Sequence, residues 1–242
     1  MGEPKNVTIS ESCGKWFIAV QAEREVETPL HQSTSVVGLD WGIVRFYTLS
    51  SGEYQEQCQP LKKFLPKLAK LQRGMALKKR FSNNWKKVKA RIAKLHHQIA
   101  NIRKDFLHQS SNDISRNHAV VFVEDLQVKN MSKSSKGTKD QPGKQVAQKS
   151  GLNRAILDGS PFELRRQLVY KTQWRGSLWH PVRQQNTSRT CPESWGCGHV
   201  SANADFISAV NIREAGLASL ACTQPSHAVS ASWQEPTEGI HA

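Results

Sequence analysis

Three acidic residues stand at positions where a carboxylate could do chemistry. Asp40 and Glu124 each follow a short apolar run, residues 36–39 and 120–123, that predicts a strand buried on both faces. Asp205 lies near the start of a predicted late helix. Converging carboxylates can hold two Mg²⁺ ions about 4 Å apart at a phosphodiester. The three residues predict a metal-dependent phosphodiester site, and the alternative stays open that the two strands simply end in acids, as many do in α/β domains.

The strands that would position these acids follow from the sequence pattern. Gly42 lets the chain turn after the first strand into a second strand at residues 44–50. A hairpin is predicted over residues 6–21, and an isolated hairpin is only marginally stable in water, so we expect it to pack on something. Residues 177–180 predict at most a short strand.

Two further segments separate the predicted strands. Residues 132–150 are rich in Ser, Lys, Gly and Gln, which predicts a flexible loop. Ser160 is then expected to cap a helix, with Pro161 at its first position and Glu163 completing a capping box. The body of that helix is predicted to end at Trp174.

Residues 61–104 carry fifteen Lys or Arg and no Asp or Glu. Apolar residues at helical spacing on either side of residues 82–84 predict two helices joined by a turn, with Pro66 in the first turn of the first helix. One interpretation is a solvated pair of helices. Exposed helices normally mix charge signs, however, and a phosphate backbone would relieve the repulsion between like charges, so we expect nucleic-acid binding. The predicted contacts are the cations of this segment: Lys62, Lys63, Lys67, Lys70, Arg73, Lys78, Lys79, Arg80, Lys86, Lys87, Lys89, Arg91, Lys94, Arg103 and Lys104.

Composition supports a polyanionic partner and limits the cellular context. The 242 residues have a formal net charge of +14, and nucleic acid is the usual partner of so basic a chain. No apolar run approaches the roughly 18–20 residues of a membrane span, and the N-terminus lacks a signal-peptide core. The five cysteines are irregularly spaced, which predicts a reducing cytoplasm rather than a disulfide framework.

A degenerate zinc site is predicted at Cys191, Cys197 and His199. Five residues separate the two cysteines where two to four are typical, and Cys222 stands alone. We therefore expect zinc to be absent or weakly held. From Leu217 onward the Ser, Thr, Gln and Pro content predicts a disordered tail.

Several motifs, in the family's own order, closely resemble the TnpB (OrfB) proteins of insertion sequences. The resemblance runs from about residue 6 to residue 220. Its motifs lie at residues 37–42, 67–73, 84–87, 103–108, 123–126, 149–153, 162–168, 187–191 and 203–212.

The resemblance implies a RuvC-type, RNase H-like mixed sheet with an inserted basic helical hairpin. It implies an RNA-guided, Mg²⁺- or Mn²⁺-dependent DNA endonuclease related to type V CRISPR effectors, with DNA and a guide RNA as partners. It assigns Asp40, Glu124 and Asp205 to the three acidic positions of the RuvC site.

The sequence also departs from the family pattern. Only the predicted hairpin resembles the end of the family's N-terminal β-barrel, the zinc module is altered, and Phe206 places a bulky aromatic beside Asp205. We therefore expect an impaired nuclease, with a non-catalytic DNA- or RNA-binding remnant or regulator as the alternative; oligomeric state stays open. The expected domains are a barrel remnant and linker (1–34), a RuvC-like domain (35–216) and a disordered tail (217–242), the middle one including a basic hairpin (61–108), a flexible loop (132–150) and a zinc-knuckle segment (187–202).

Overall fold

The computed structural model describes residues 2–27, 29–183 and 204–222. Within them the chain is mixed α/β, as predicted, with a two-stranded and a five-stranded sheet. The strands are β1 (Glu3–Ser12), β2 (Lys15–Glu23), β3 (Val36–Trp41), β4 (Arg45–Leu49), β5 (Tyr54–Glu56), β6 (Val120–Glu124) and β7 (Leu178–Val182). The helices are α1 (Pro60–Ala76), α2 (Asn83–Asn117), α3 (Val128–Met131), α4 (Val146–Gly159), α5 (Pro161–Trp174) and α6 (Ala204–Cys222).

The five-stranded sheet has the order β5-β4-β3-β6-β7 and mixes both strand directions. β3 is antiparallel to β4 and parallel to β6, and β6 is parallel to β7. Side chains alternate between the two faces of a strand. Val37, Leu39, Val121 and Val123 pack in the core with residues of α2 and α5, whereas Phe122 packs with Ile212 of α6. The sheet is therefore covered on both faces, which is why its central strands are apolar throughout.

A separate, smaller core joins α1 to α2. Leu68, Leu95 and Ile99 form it, and flanking apolar residues of both helices pack against it. Ser82 caps α2, its hydroxyl accepting a hydrogen bond from the backbone N–H of Trp85 at 3.2 Å. The prediction for Pro66 was wrong: Pro60 occupies the first position of α1, so Pro66 lies in its interior.

The predicted capping box at the start of α5 was also wrong. Ser160 has a left-handed backbone (φ 50°, ψ 55°), and its hydroxyl donates to the carbonyl of Leu157 rather than accepting from α5. Glu163 instead accepts hydrogen bonds from Arg166 and Gln167. The reason is that Ser160 ends α4 and begins α5 at once, which leaves no extended residue to act as a cap.

Two predicted segment boundaries shift. α4 begins at Val146, so the last five residues of the predicted flexible loop are helical; Lys149 donates to the carbonyl of Met131 at 2.6 Å. α6 continues to Cys222 through the first residues of the predicted tail, because Leu220 packs against the apolar cluster around Phe122.

The N-terminal hairpin forms as predicted but is exposed along both strands. Val7, Ile9, Ile18 and Val20 share one face, each at least 60% exposed. The expected packing of this hairpin is therefore not seen within the described residues. Among those residues, no helix is long and apolar enough to cross a membrane.

Candidate functional site

Strand register brings the first two predicted acids side by side. In the parallel pair β3–β6 the register advances one for one and ends with Leu39 opposite Val123. Asp40 and Glu124 are the next residues on each strand, so they are neighbours on the same face of the sheet. That face is the one covered by α6, because Gly38, two residues before Asp40, lies against the α6 backbone.

The site concentrates negative charge in a partly desolvated place. Burial raises the pKa of Asp40 to about 7, and the nearby carboxylate of Glu124 adds to the rise. A hydrogen bond from the side chain of Ser208 acts in the opposite direction, and the carboxylate of Asp205 raises the pKa further. Glu124 is itself only 8% exposed. Glu124 and Asp205 thus both lie within electrostatic reach of Asp40.

Two glycines let α6 lie close to the sheet. A Cβ on Gly38 would collide with the carbonyl of Ala209 and the amide of Arg213. A Cβ on Gly216 would collide with the ring of Phe122. This close approach fixes the start of α6, and with it Asp205, relative to β3.

Ser208 is a site residue that sequence reasoning missed. It is buried (3% exposed), lies three residues after Asp205 on α6, and hydrogen-bonds to Asp40. Residues three apart share a helix face, so the spacing from Asp205 was the signal that could have found it.

The adjacent acids Glu124 and Asp125 have different surroundings. Asp125 forms an ion pair with Arg165 of α5, and its backbone N–H donates to the carbonyl of Val182 at 2.8 Å. Glu124 instead lies within electrostatic reach of Asp40. A small cleft, partly open to solvent, lies beside Glu124 and is lined by Trp41 and Phe162 among others.

The three acids do not form a metal-binding cluster in the structure. Among the described residues, no group of three or more His, Cys, Asp or Glu side chains converges closely enough to hold a metal ion. The predicted zinc residues Cys191, Cys197 and His199 lie outside the described residues.

Fourteen of the fifteen predicted nucleic-acid-binding cations are exposed on α1, α2 and the turn between them. The exception is Arg103, which forms an internal ion pair with Asp158 of α4 at 2.6 Å. Asp158 also accepts hydrogen bonds from the backbone N–H groups of Leu61 and Lys62 at the start of α1. Sequence reasoning missed Asp158, because its partners lie about 55 and 97 residues away in the chain.

Comparison with known proteins finds similarity to two family models and to named proteins. The model of the OrfB IS605 family, described as a probable transposase, matches residues 18–135, and that of the Cas12f1-like TNB domain matches residues 162–212. InsQ of Escherichia coli K12, named as an RNA-guided DNA endonuclease, is 47% identical over the whole chain. The chain is similar to the OrfB (TnpB) proteins. The resemblance inferred from its motifs is thereby confirmed.

Other OrfB relatives agree with this placement. A Streptomyces pristinaespiralis protein, also named as an RNA-guided DNA endonuclease, is 34% identical over 91% of the chain. The chain spans 64% of the length of InsQ and 55% of the Streptomyces protein. Cas12f1 in a cryo-EM complex with sgRNA and target DNA shares the fold, with a TM-score of 0.50 and 14% identity over 82% of this chain and 42% of that one.

Proposed function

We propose that this chain is a TnpB-like, metal-dependent DNA endonuclease that acts with a guide RNA. The observation that supports the proposal is the placement of Asp40 beside Glu124 on parallel strands, with Asp205 within electrostatic reach of Asp40, in a chain similar to the OrfB proteins. The names of InsQ and the Streptomyces protein supply the reaction class.

The finer fold assignment belongs to the same proposal. We assign a RuvC-type, RNase H-like fold to the five-stranded sheet, with the basic helical pair α1–α2 inserted between β5 and β6. Its support is the parallel β3–β6 pair flanked by antiparallel β4 and β5, together with acids at the ends of both parallel strands. The RuvC-like domain would extend over residues 35–216.

The donor set fits a hard divalent cation. All three side chains offer carboxylate oxygens, which Mg²⁺ and Mn²⁺ prefer, and their mutual repulsion is what a bound cation relieves. When bound, the cation would neutralise charge on the phosphodiester that is cut. Zinc binding by Cys191 and Cys197 stays a prediction.

The chain's own residues then have distinct tasks. β3 and β6 hold Asp40 and Glu124 in register, and α6 presents Asp205 to them. Ser208 orients the Asp40 carboxylate by its hydrogen bond. The exposed cations of α1 and α2 would bind phosphates and so keep the nucleic acid beside this edge.

A second candidate function is nucleic-acid binding without catalysis. It is favoured by the absence of a three-ligand metal cluster within the part of the chain that the structure describes. The basic helices would serve both functions equally, so binding measurements alone cannot separate the two candidates.

Substitution of Asp40 separates them. The protein, with any RNA that copurifies, is incubated with labelled single- and double-stranded DNA and Mg²⁺ or Mn²⁺. We expect Asp40→Asn to lower the cleavage rate at least about 100-fold, because even outer-sphere changes cost 10–100-fold at metal sites. Asp125→Asn is the matched control: it changes the same charge next to Glu124 but removes no proposed ligand. Equal cleavage by wild type and Asp40→Asn contradicts the proposal. Binding with no cleavage in either protein supports the second candidate.

A further inference from the structure

The turn between α1 and α2 exposes apolar side chains among cations. We name residues 77–85 the hairpin tip. Leu77 is 86% exposed and Phe81 is 63% exposed, and neither joins an apolar cluster within the described residues. Lys78, Lys79 and Arg80 stand between them and are exposed as well. Folding alone gives no reason to place an aromatic ring in water at this point.

The backbone of Phe81 adds a second cost. Its φ is 66°, a left-handed conformation that glycine adopts freely and a residue with a Cβ does not. The turn that imposes it is closed by hydrogen bonding from the Ser82 N–H to the Lys79 carbonyl at 3.1 Å, just before the capped start of α2. A strained, exposed residue of this kind points to a role other than stability.

The ring of Phe81 is held in a defined arrangement. It packs against Trp85 with ring centroids 5.5 Å apart and planes at 58°. The Arg80 guanidinium lies 4.9 Å from the centre of the Phe81 ring, and the Lys89 ammonium lies 5.4 Å from that of Trp85. No acid occurs anywhere in residues 61–104 to neutralise these cations.

We infer that the hairpin tip binds an unpaired nucleobase, which stacks on Phe81 while the surrounding cations hold its phosphates. Aromatic rings interleaved with Lys and Arg are the chemistry by which proteins bind single-stranded nucleic acid without reading its sequence. The inference rests on the proposed nucleic-acid binding and deepens it: the helices contact phosphates of any strand, and the tip distinguishes unpaired from paired bases. The shared ligand chemistry is a base of single-stranded RNA or DNA.

The test compares three substitutions of Phe81 in the full chain. Phe81→Gly removes the ring and the strain; Phe81→Leu keeps an exposed apolar side chain and the strain but has no aromatic face; Phe81→Trp restores an aromatic face. The probes are RNA and DNA single strands of about 12 nucleotides with a central 2-aminopurine, and a fully paired DNA of equal length.

We expect Phe81→Gly and Phe81→Leu to bind the single strands roughly 5- to 100-fold more weakly than wild type and to lose the quenching of 2-aminopurine. Duplex affinity should change less than about twofold, because stacked bases offer no free face. Phe81→Trp should keep both affinity and quenching. The melting temperature of Phe81→Gly should equal or exceed that of wild type, so a loss of binding cannot be attributed to misfolding.

The outcomes separate this inference from the function on which it rests. Unchanged single-strand binding by Phe81→Gly overturns the inference, and if substitution of Lys78, Lys79, Lys86 and Lys87 by Gln still weakens binding, the nucleic-acid function stands. Equal losses on single strands and duplex, or full binding by Phe81→Leu, also overturn it. A loss confined to RNA or to DNA supports it and identifies the strand. A wild-type chain that binds none of the probes contradicts both proposals.

Discussion

The carboxylate site and the helical pair α1–α2 use charge in opposite ways. At the site, acids are gathered on a closely packed sheet, where burial and repulsion raise the pKa of Asp40 to about 7. On the helical pair, fourteen cations are spread over an exposed surface above a core of only a few apolar residues. The arrangement of acids at the site therefore depends on accurate backbone positions. Nucleic-acid binding by the basic surface would depend mainly on how many cations it carries.

Besides the packing of α2 on the sheet, an ion pair joins the helical pair to α4. Asp158 pairs with Arg103 of α2 and accepts hydrogen bonds from the first backbone N–H groups of α1. α1 has no side-chain cap of its own, since Gln59 makes none. A carboxylate from α4 therefore caps α1, complements its dipole and orients the basic helices relative to the sheet.

The largest effect is expected where packing is closest. Gly38→Ala forces a Cβ against the carbonyl of Ala209 and the amide of Arg213, so α6 must move away from β3. We expect a loss of about 3 kcal/mol in the free energy of unfolding, measured by urea denaturation, because backbone cannot yield as a side chain can. Any Mg²⁺-dependent cleavage should fall with it.

Gly74→Ala, in α1, is the control for that measurement. Nothing lies within 4 Å of its added Cβ, so the substitution should stabilise the protein by roughly 0.5–1 kcal/mol through helix propensity. If Gly38→Ala and Gly74→Ala change the free energy of unfolding equally, the site is no more sensitive to backbone position than the helical pair, and the contrast is wrong.

The connection between the regions is expected to give the next largest effect. Asp158→Ala leaves the partly buried Arg103 and the start of α1 without their acceptor. We expect a loss of roughly 2 kcal/mol in unfolding free energy. The backbone amides of α1 should also exchange their hydrogens faster than in wild type. The exposed pair of Lys5 and Glu23 offers the comparison, since Lys5→Ala should cost less than about 1 kcal/mol. Equal costs for both substitutions would remove Asp158 from its connecting role.

The helical surface should tolerate substitution in folding and respond in binding. Replacing Lys78, Lys79, Lys86 and Lys87 by Gln should change stability by no more than about 0.5 kcal/mol per residue. The slope of log affinity against log salt should fall by about 0.9 for each phosphate that the protein no longer neutralises. The charge-matched control replaces Lys129, Lys133, Lys136 and Lys139, outside the helical pair. An equal fall in slope for the control would show that net charge, and not this surface, governs binding.

The smallest effect is expected from pH at the edge of the packed region. Burial lowers the pKa of His118, whose Nδ1 lies 2.9 Å from the Ser35 hydroxyl. Its folded pKa is below the unfolded value of about 6.5, so the unfolded chain binds more protons between these two values. The contribution of His118 to stability should therefore be constant above pH 6.5 and fall as the pH drops below it, opposite in sign to that of Asp40, whose raised pKa makes stability rise as the pH falls below about 7. The difference in melting temperature between wild type and His118→Gln, measured against pH, should isolate the His118 contribution; a difference that does not change with pH would contradict it.

Local sequence pattern predicted the mixed α/β class, the apolar strands that end in acid and the turn at residues 82–84 between two helices. It failed where tertiary contacts override local preference. Ser160 has the sequence of a helix cap but joins two helices through a left-handed backbone. The composition from Leu217 onward predicted a tail, yet residues 217–222 belong to α6, where Leu220 packs against the cluster around Phe122.

The sequence by itself determined the types of residue: acids after two apolar strands, cations without acids over residues 61–104, and motifs similar to those of the OrfB proteins. Only the tertiary structure decided which charges meet. The parallel register of β3 and β6 places Asp40 beside Glu124, and two glycines let α6 lie close to the sheet. Arg103 forms an ion pair with Asp158 and is therefore not part of the exposed basic surface. The physical reason is range, because chain-local preferences act over a few residues while electrostatic and packing energies depend on distance in space.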